Sequence, residues 1–193
     1  MTSRQHVLLS RLRVDELGGN DIRDIEQLIK FFPQLQSFTN VKLQPPYGMI
    51  GVSRGAMEMF VALSRLEYVK ERVSHAISVS GNVDLRLSMA RRPEMKYLFK
   101  KKFKQSGEED FEHWIQSRDP VSNVSHLSKS LKVLLVYGLS DNRVFLDEQL
   151  NLEKALKTEG IATELVTIPG ASHGLDGHFN DFENIVKRFM TNS

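Results

Sequence analysis

Three short segments of this 193-residue chain carry residue types suited to nucleophilic chemistry. The first is Gly51-Val52-Ser53-Arg54-Gly55, a G-x-S-x-G pattern between an apolar run and an amphipathic one. A serine on such a strand-to-helix turn presents its hydroxyl beyond the strand, while the glycines keep flanking side chains from clashing with strand and helix. The positive end of the following helix favours negative charge developing near Ser53, and the backbone N–H of Arg54 becomes an oxyanion-hole donor. The second segment is Gly138-Leu139-Ser140-Asp141-Asn142-Arg143-Val144, in which Asp141 can orient and charge-balance a histidine. The third is Pro169-Gly170-Ala171-Ser172-His173-Gly174, which sets His173 between small residues in a loop at the end of a predicted strand, poised for general-base work. Taken singly, each has a plainer reading: a Gly-rich turn, an Asp capping a helix near Phe145, a loop histidine. Their conjunction decides, because Ser, Asp and His each follow directly on their own predicted strand.

Other titratable residues compete poorly for these roles. His75 falls inside a predicted strand and reads as structural, and His6, His113 and His126 lack a partner motif. Asp84, after the strand that follows the nucleophile helix, is the rival acid to Asp141. His173 and His178 with Asp176 and Asp181 match no standard metal-ligand spacing, so no metal is expected. The basic run Lys96 to Lys104 reads as a solvated helix face rather than an anion-binding patch.

The elements that must position these residues can be read from periodicity. Ile22, Ile25, Leu28, Ile29 and Phe32 recur at helical spacing, with Pro33 closing the segment. A buried strand over 47–52 leads into a helix with Ala56, Met59, Phe60 and Leu63 on one face. Val73 to Ser80, Leu131 to Tyr137 and Ala162 to Ile168 read as further strands, Phe145 to Thr158 as a helix, and Phe182 to Met190 as part of a last helix that His178 opens. Between Leu85 and Trp114 the chain reads as one or two helices forming an excursion, with Phe99, Phe103, Phe111 and Trp114 either lining an acyl pocket or packing the excursion down. Apolar strands alternating with amphipathic helices predict a three-layer α/β/α fold with a mostly parallel sheet. In such sheets chemistry sits just past the carboxyl ends of the strands. Residues 1–193 read as one domain, with the helical excursion at about 85–116.

Composition narrows the classes. With 26 Lys and Arg against 24 Asp and Glu, the net charge of +2 argues for neither a nucleic-acid nor a membrane partner. There is no cysteine, which excludes disulfides and thiolate chemistry and suits a reducing, cytoplasmic setting. No apolar run approaches the roughly 20 residues that cross a bilayer, and the N-terminus lacks the pattern of a signal peptide.

The ordered motifs resemble the prolyl oligopeptidase-type branch of the α/β-hydrolases, including its dienelactone-hydrolase-like members. The matching residues are Asp15-Glu16-Leu17-Gly18-Gly19 with Asp21 and Asp24, then Gly51 to Gly55, Ser80-Gly81-Asn82-Val83-Asp84-Leu85, Gly138 to Val144, and Ala171-Ser172-His173-Gly174. The resemblance implies Ser53 as nucleophile, Asp141 as orienting acid and His173 as general base. It further implies hydrolysis of a small-molecule ester or short peptide through an acyl-enzyme, with no metal or organic cofactor. Departures from the family pattern carry consequences. Members have several strands before the nucleophile strand, whereas only residues 1–52 precede Ser53, so an α/β-hydrolase fold lacking several N-terminal strands is expected. The family's second oxyanion donor, from a His-Gly-Gly loop or a Tyr before the Gly-Gly pair, has no counterpart; Arg11-Leu12-Arg13 occupies the place. Losing one such donor costs about 10² to 10³ in rate. A sheet shortened in this way exposes an apolar edge, which predicts a homo-oligomer or a segment that needs a missing N-terminal half. Two alternatives stand beside the active hydrolase: a catalytically weak or silent domain serving as an interaction or assembly module, and a flavodoxin-like phosphate binder using the Gly51 to Gly55 turn.

Overall fold

The computed structural model describes residues 16–35, 38 and 43–191. The apolar piece at Val7 to Ser10 and the Arg11-Leu12-Arg13 segment lie outside the described residues. Four strands, β1 (Tyr47–Val52), β2 (Val73–Val79), β3 (Lys132–Gly138) and β4 (Ala162–Ile168), form one sheet in the order β1-β2-β3-β4. Every pairing is parallel. The helices are α1 (Arg23–Leu35), α2 (Arg54–Arg65), α3 (Glu67–Lys70), α4 (Leu85–Arg91), α5 (Pro93–Ser106), α6 (Phe111–Gln116), α7 (Leu146–Thr158) and α8 (Phe179–Thr191). This is the expected α/β fold, a parallel sheet with helices on its faces.

Strand character follows position in the sheet. Val133 to Gly138 of β3 are all buried, as an interior parallel strand covered on both faces should be. Ala76, Val133 and Leu135 pack with Met59, Phe60 and Leu63 of α2 and Leu152 and Leu156 of α7 on one face. Ile77, Val79, Leu134 and Val136 pack with Phe189 of α8 on the other. Each fully buried side chain of this size contributes about 1.5–3 kcal/mol. The registered rows Ile50–Ile77–Leu134 and Val52–Val79–Val136 share the α8 face. Their outer members, Ile50 and Val52, remain 56% and 50% exposed, because β1 is the edge strand and α8 covers only the inner part of the rows.

Beyond one-residue shifts at strand and helix ends, two elements differ from the periodicity reading. α1 does not close at Pro33 but runs through it to Leu35. Proline lacks the N–H that would reach back to Ile29 and its ring crowds the Ile29 carbonyl, a cost that a helix bears near its end. The excursion between β2 and β3 contains three helices, α4, α5 and α6, rather than one or two. Asp84 caps α4 by accepting the Leu87 N–H at 2.9 Å, Gly107 ends α5 with φ +75°, and Asp110 caps α6 through Glu112 and His113. These caps are short-range polar signals that a hydrophobic period does not register.

Candidate active site

The parallel register brings the carboxyl ends of all four strands to one edge. β1 runs directly into α2 through Ser53, whose φ of 53° and ψ of −118° are rare for a residue with a Cβ. Such a conformation costs about 1–3 kcal/mol and persists only where its surroundings over-determine it. Here they do. The Ser53 N–H donates to the Val79 carbonyl at 2.9 Å, and its own carbonyl accepts from Asn82 N–H at 3.1 Å and Ala56 N–H at 3.2 Å. Gly51 makes the turn possible, because a Cβ there would lie 2.6 Å from Ala56 Cα and 2.7 Å from Gly55 O. Gly55 behaves differently: a Cβ there meets nothing within 4 Å. Only the first glycine of the pattern is sterically required, which corrects the expectation that both are.

Ser53 stands at the N-cap position of α2, yet its side chain makes no capping hydrogen bond. Serine at an N-cap ordinarily spends its hydroxyl on the first turn; this one does not. Arg54 begins α2, and its side chain pairs with Glu58 along the helix at 3.2 Å.

Asp141 and His173 meet directly. Asp141 Oδ2 lies 2.8 Å from His173 Nδ1, with the carboxylate side chain fully buried and the imidazole 13% exposed. The other carboxylate oxygen accepts the Arg143 and Val144 N–H groups at 2.7 and 3.1 Å, which fixes its direction. Asp141 is therefore not the cap of α7, a position held by Phe145. The two loops are laced together, Ser140 N–H donating to Ala171 O at 2.9 Å and Leu139 N–H to Ile168 O at 3.0 Å. Asp84 is occupied elsewhere: it caps α4 and accepts from Asn151 Nδ2 at 2.7 Å.

The remaining histidines and acids fall into separate pairs. His178 contacts Asp181 at 3.0 Å, and its carbonyl accepts the Phe182 N–H at the start of α8. Asp176 accepts from Ser172 Oγ at 2.7 Å. No group of three or more metal-ligating residues assembles among the described residues. His75 contacts Ser74 Oγ at 2.8 Å and packs edge-on against Phe189; burial, then the nearby Lys132, hold its pKa below the usual imidazole value.

A cavity of about 260 Å³ opens beside Ser53, walled by Leu17, Met57, Met95, Leu98, Phe99 and Val144. Arg54, Arg92 and Arg143 also border it, and among the described residues no carboxylate does. Of the four aromatic candidates in the excursion only Phe99 reaches this cavity. Phe103 and Phe111 pack on Trp114, which is buried. Met95 and Leu98 were not singled out by sequence, since nothing distinguishes them from other apolar residues of α5. The Tyr137 hydroxyl donates to Val144 O at 2.9 Å and ties the Asp141 loop to β3. A larger recess of about 450 Å³, bordered by Arg65, Glu108 and Arg118, contains none of the three candidate residues.

Comparison with known proteins identifies the fold and the family. The fold is similar to that of a puromycin-hydrolyzing peptidase from Mycobacterium tuberculosis, with a TM-score of 0.66 and 23% identity over 86% of this chain and 23% of that one. It is also similar to a truncated carbohydrate esterase from gut microbiota, with a TM-score of 0.65 and 19% identity over 89% of this chain and 67% of that one. These likenesses define the class as an α/β-hydrolase fold. The model of the prolyl oligopeptidase family, a family of serine peptidases and esterases, matches residues 12–191, and the chain belongs to that family. By sequence it is 36% identical over 66 residues to acylamino-acid-releasing enzyme 1 of Oryza sativa subsp. japonica, which covers 34% of this chain and 8% of that protein. The chain thus spans under a tenth of that relative and about a quarter of the mycobacterial peptidase. Among the described residues no helix is long and apolar enough to cross a membrane.

Proposed function

We propose that this chain is a serine hydrolase that cleaves an ester or peptide bond through an acyl-enzyme. The observation that carries the reading is Ser53: strained, held at the carboxyl edge of the sheet, and not using its hydroxyl to cap α2. Ser53 Oγ adds to the substrate carbonyl carbon while His173 Nε2 takes its proton. His173 then returns that proton to the departing alcohol or amine, and water attacks the acyl-enzyme by the same route. Nδ1 is engaged by Asp141, which leaves Nε2 as the ring nitrogen for this transfer and balances the imidazolium that forms. The Arg54 N–H, at the start of α2, supplies one oxyanion donor. The cavity walled by Met57, Met95, Leu98 and Phe99 suits an apolar acyl group or side chain. Cysteine-free composition supports a cytoplasmic setting for the reaction. A fluorophosphonate probe should label the folded wild-type protein, fail on Ser53→Ala and label His173→Ala slowly. Absence of labelling on folded wild type would refute the reading.

A second reading, a domain used for assembly with weak or no activity, is favoured by one observation. Among the described residues β1 is an edge strand of sequence Tyr-Gly-Met-Ile-Gly-Val, without a charge or a proline to protect it, and it exposes Ile50 and Val52. A homo-oligomer joined through this edge is expected in either reading. Light scattering that finds a monomer at micromolar concentration opposes the oligomer, and Ser53-dependent turnover of a p-nitrophenyl ester excludes the silent domain.

A further inference from the structure

Arg92 sits between α4 and α5 with its side chain 14% exposed, in a position that the hydrolytic scheme does not use. Its guanidinium touches both turns that carry the candidate residues. Nη2 donates to Asn82 Oδ1 at 3.1 Å, and the Asn82 N–H in turn holds the Ser53 carbonyl. Nη1 donates to the carbonyl oxygen of Arg143, whose N–H holds Asp141 Oδ1 at 2.7 Å. A further contact to Ser88 Oγ anchors the guanidinium to α4. The resulting chain of contacts runs from Ser53 through Asn82, Arg92, Arg143 and Asp141 to His173.

The counter-charge is Glu148 in the first turn of α7, 3.5 Å from Nη2 and fully buried. The pairing is costly. Arg92 Nε has no hydrogen-bond partner among the described residues, and burial pushes the Glu148 carboxyl up to about 7 despite the pull of Arg92. Apolar residues of similar volume are often as stable as a buried ion pair, or more so. A planar fork with donors aimed in two directions does what they cannot: it sets the separation and orientation of two backbone turns.

We propose that Arg92 is a positioning residue that holds the Asp141 turn in register with the Ser53 turn, with Glu148 as its buried counter-charge. This rests on Ser53, His173 and Asp141 acting as nucleophile, base and orienting acid. The test compares the wild-type 193-residue chain, Arg92→Met and Arg92→Lys by fluorophosphonate labelling rate, by kcat and KM on a p-nitrophenyl ester, and by circular dichroism for folding. Folded Arg92→Met should lose about 10- to 100-fold in labelling rate and kcat, since small misplacements of catalytic groups have such effects, with KM within about threefold of wild type. Arg92→Lys keeps the charge but offers a point ammonium in place of the fork, so most of the deficit should persist. Wild-type kcat in folded Arg92→Met, a rise in KM alone, or full rescue by lysine would each overturn the proposal. If Arg92→Met does not fold, Arg92→Lys decides: lowered kcat at unchanged KM supports the proposal, and wild-type kcat overturns it. A wild-type protein that resists labelling refutes the nucleophile reading and this proposal with it, an outcome visible before any variant is made.

Discussion

The Cβ position of Gly138 lies 2.4 Å from the carbonyl oxygen of Ala171 and 2.5 Å from that of Ser172. The loop that carries His173 therefore crosses the end of β3 in van der Waals contact with its backbone, which is how a residue after β4 reaches one after β3. Because backbone rather than a flexible side chain occupies the space, Gly138→Ala must push the two loops apart. We expect this variant to remain folded by circular dichroism and to lose about 10²-fold in Ser53 labelling rate. Labelling at the wild-type rate would show that the close approach does not set the position of His173.

The two glycines around Ser53 should respond oppositely. Gly51→Ala places a methyl group into the backbone of α2 and should cost about 1–3 kcal/mol by denaturant titration. Gly55 lies in the first turn of α2 with open space at its Cβ position, so Gly55→Ala should be neutral or stabilise by up to about 1 kcal/mol.

Glu148 should leave a signature in the pH dependence of stability. Its carboxyl is raised by burial, with the Asp84 charge also raising it, while Arg92 and the backbone N–H groups of Phe145 and Asp84 lower it. Between the ordinary value of 4.5 and about 7 the native chain holds a proton that the unfolded chain has released. Stability from this group is therefore present below the lower value and is lost as pH rises through the upper one. Urea titrations at several pH values should find that Glu148→Gln flattens this decline by an amount on the order of 1–3 kcal/mol. Parallel pH curves for the two proteins would contradict the assignment.

Asp119 anchors the excursion and should be the most damaging polar position outside the site. Only 1% exposed, it accepts the Leu85 N–H at 2.8 Å together with both the N–H and the hydroxyl of Ser122. Asp119→Ala strands these donors, at a cost of about 3 kcal/mol. Thermal melting should find a lowered Tm, and Asp119→Asn, which keeps one acceptor oxygen, should lose less.

Much of this was legible in one dimension because the signals involved are local. Leu131 to Tyr137 reads as a buried strand from its run of apolar residues, and Gly51-Val52-Ser53 reads as a turn from residues in direct succession. Where the reading missed, the deciding interaction was either polar and short-ranged or not local at all. The caps at Asp84 and Asp110 divide the excursion into three helices without altering any hydrophobic period. Pro33 marks a weakness near the end of α1 rather than its end. Gly55 looks like Gly51 in the motif, and only the packing around α2 separates the two.

By itself the sequence determined the order of strands and helices and placed Ser53, Asp141 and His173 each just beyond a strand, because periodicity and turn chemistry are properties of neighbouring residues. It left two acids open. In the tertiary structure Asp84 is engaged with α4 and Asn151, while Asp141, 32 residues from His173 along the chain, is hydrogen-bonded to it. The bridge from Arg92 to the Arg143 carbonyl spans 51 residues and had no sequence signal at all. Contacts of this kind exist only once parallel register has aligned four strand ends at one edge, and that alignment is set by the packing of the whole sheet.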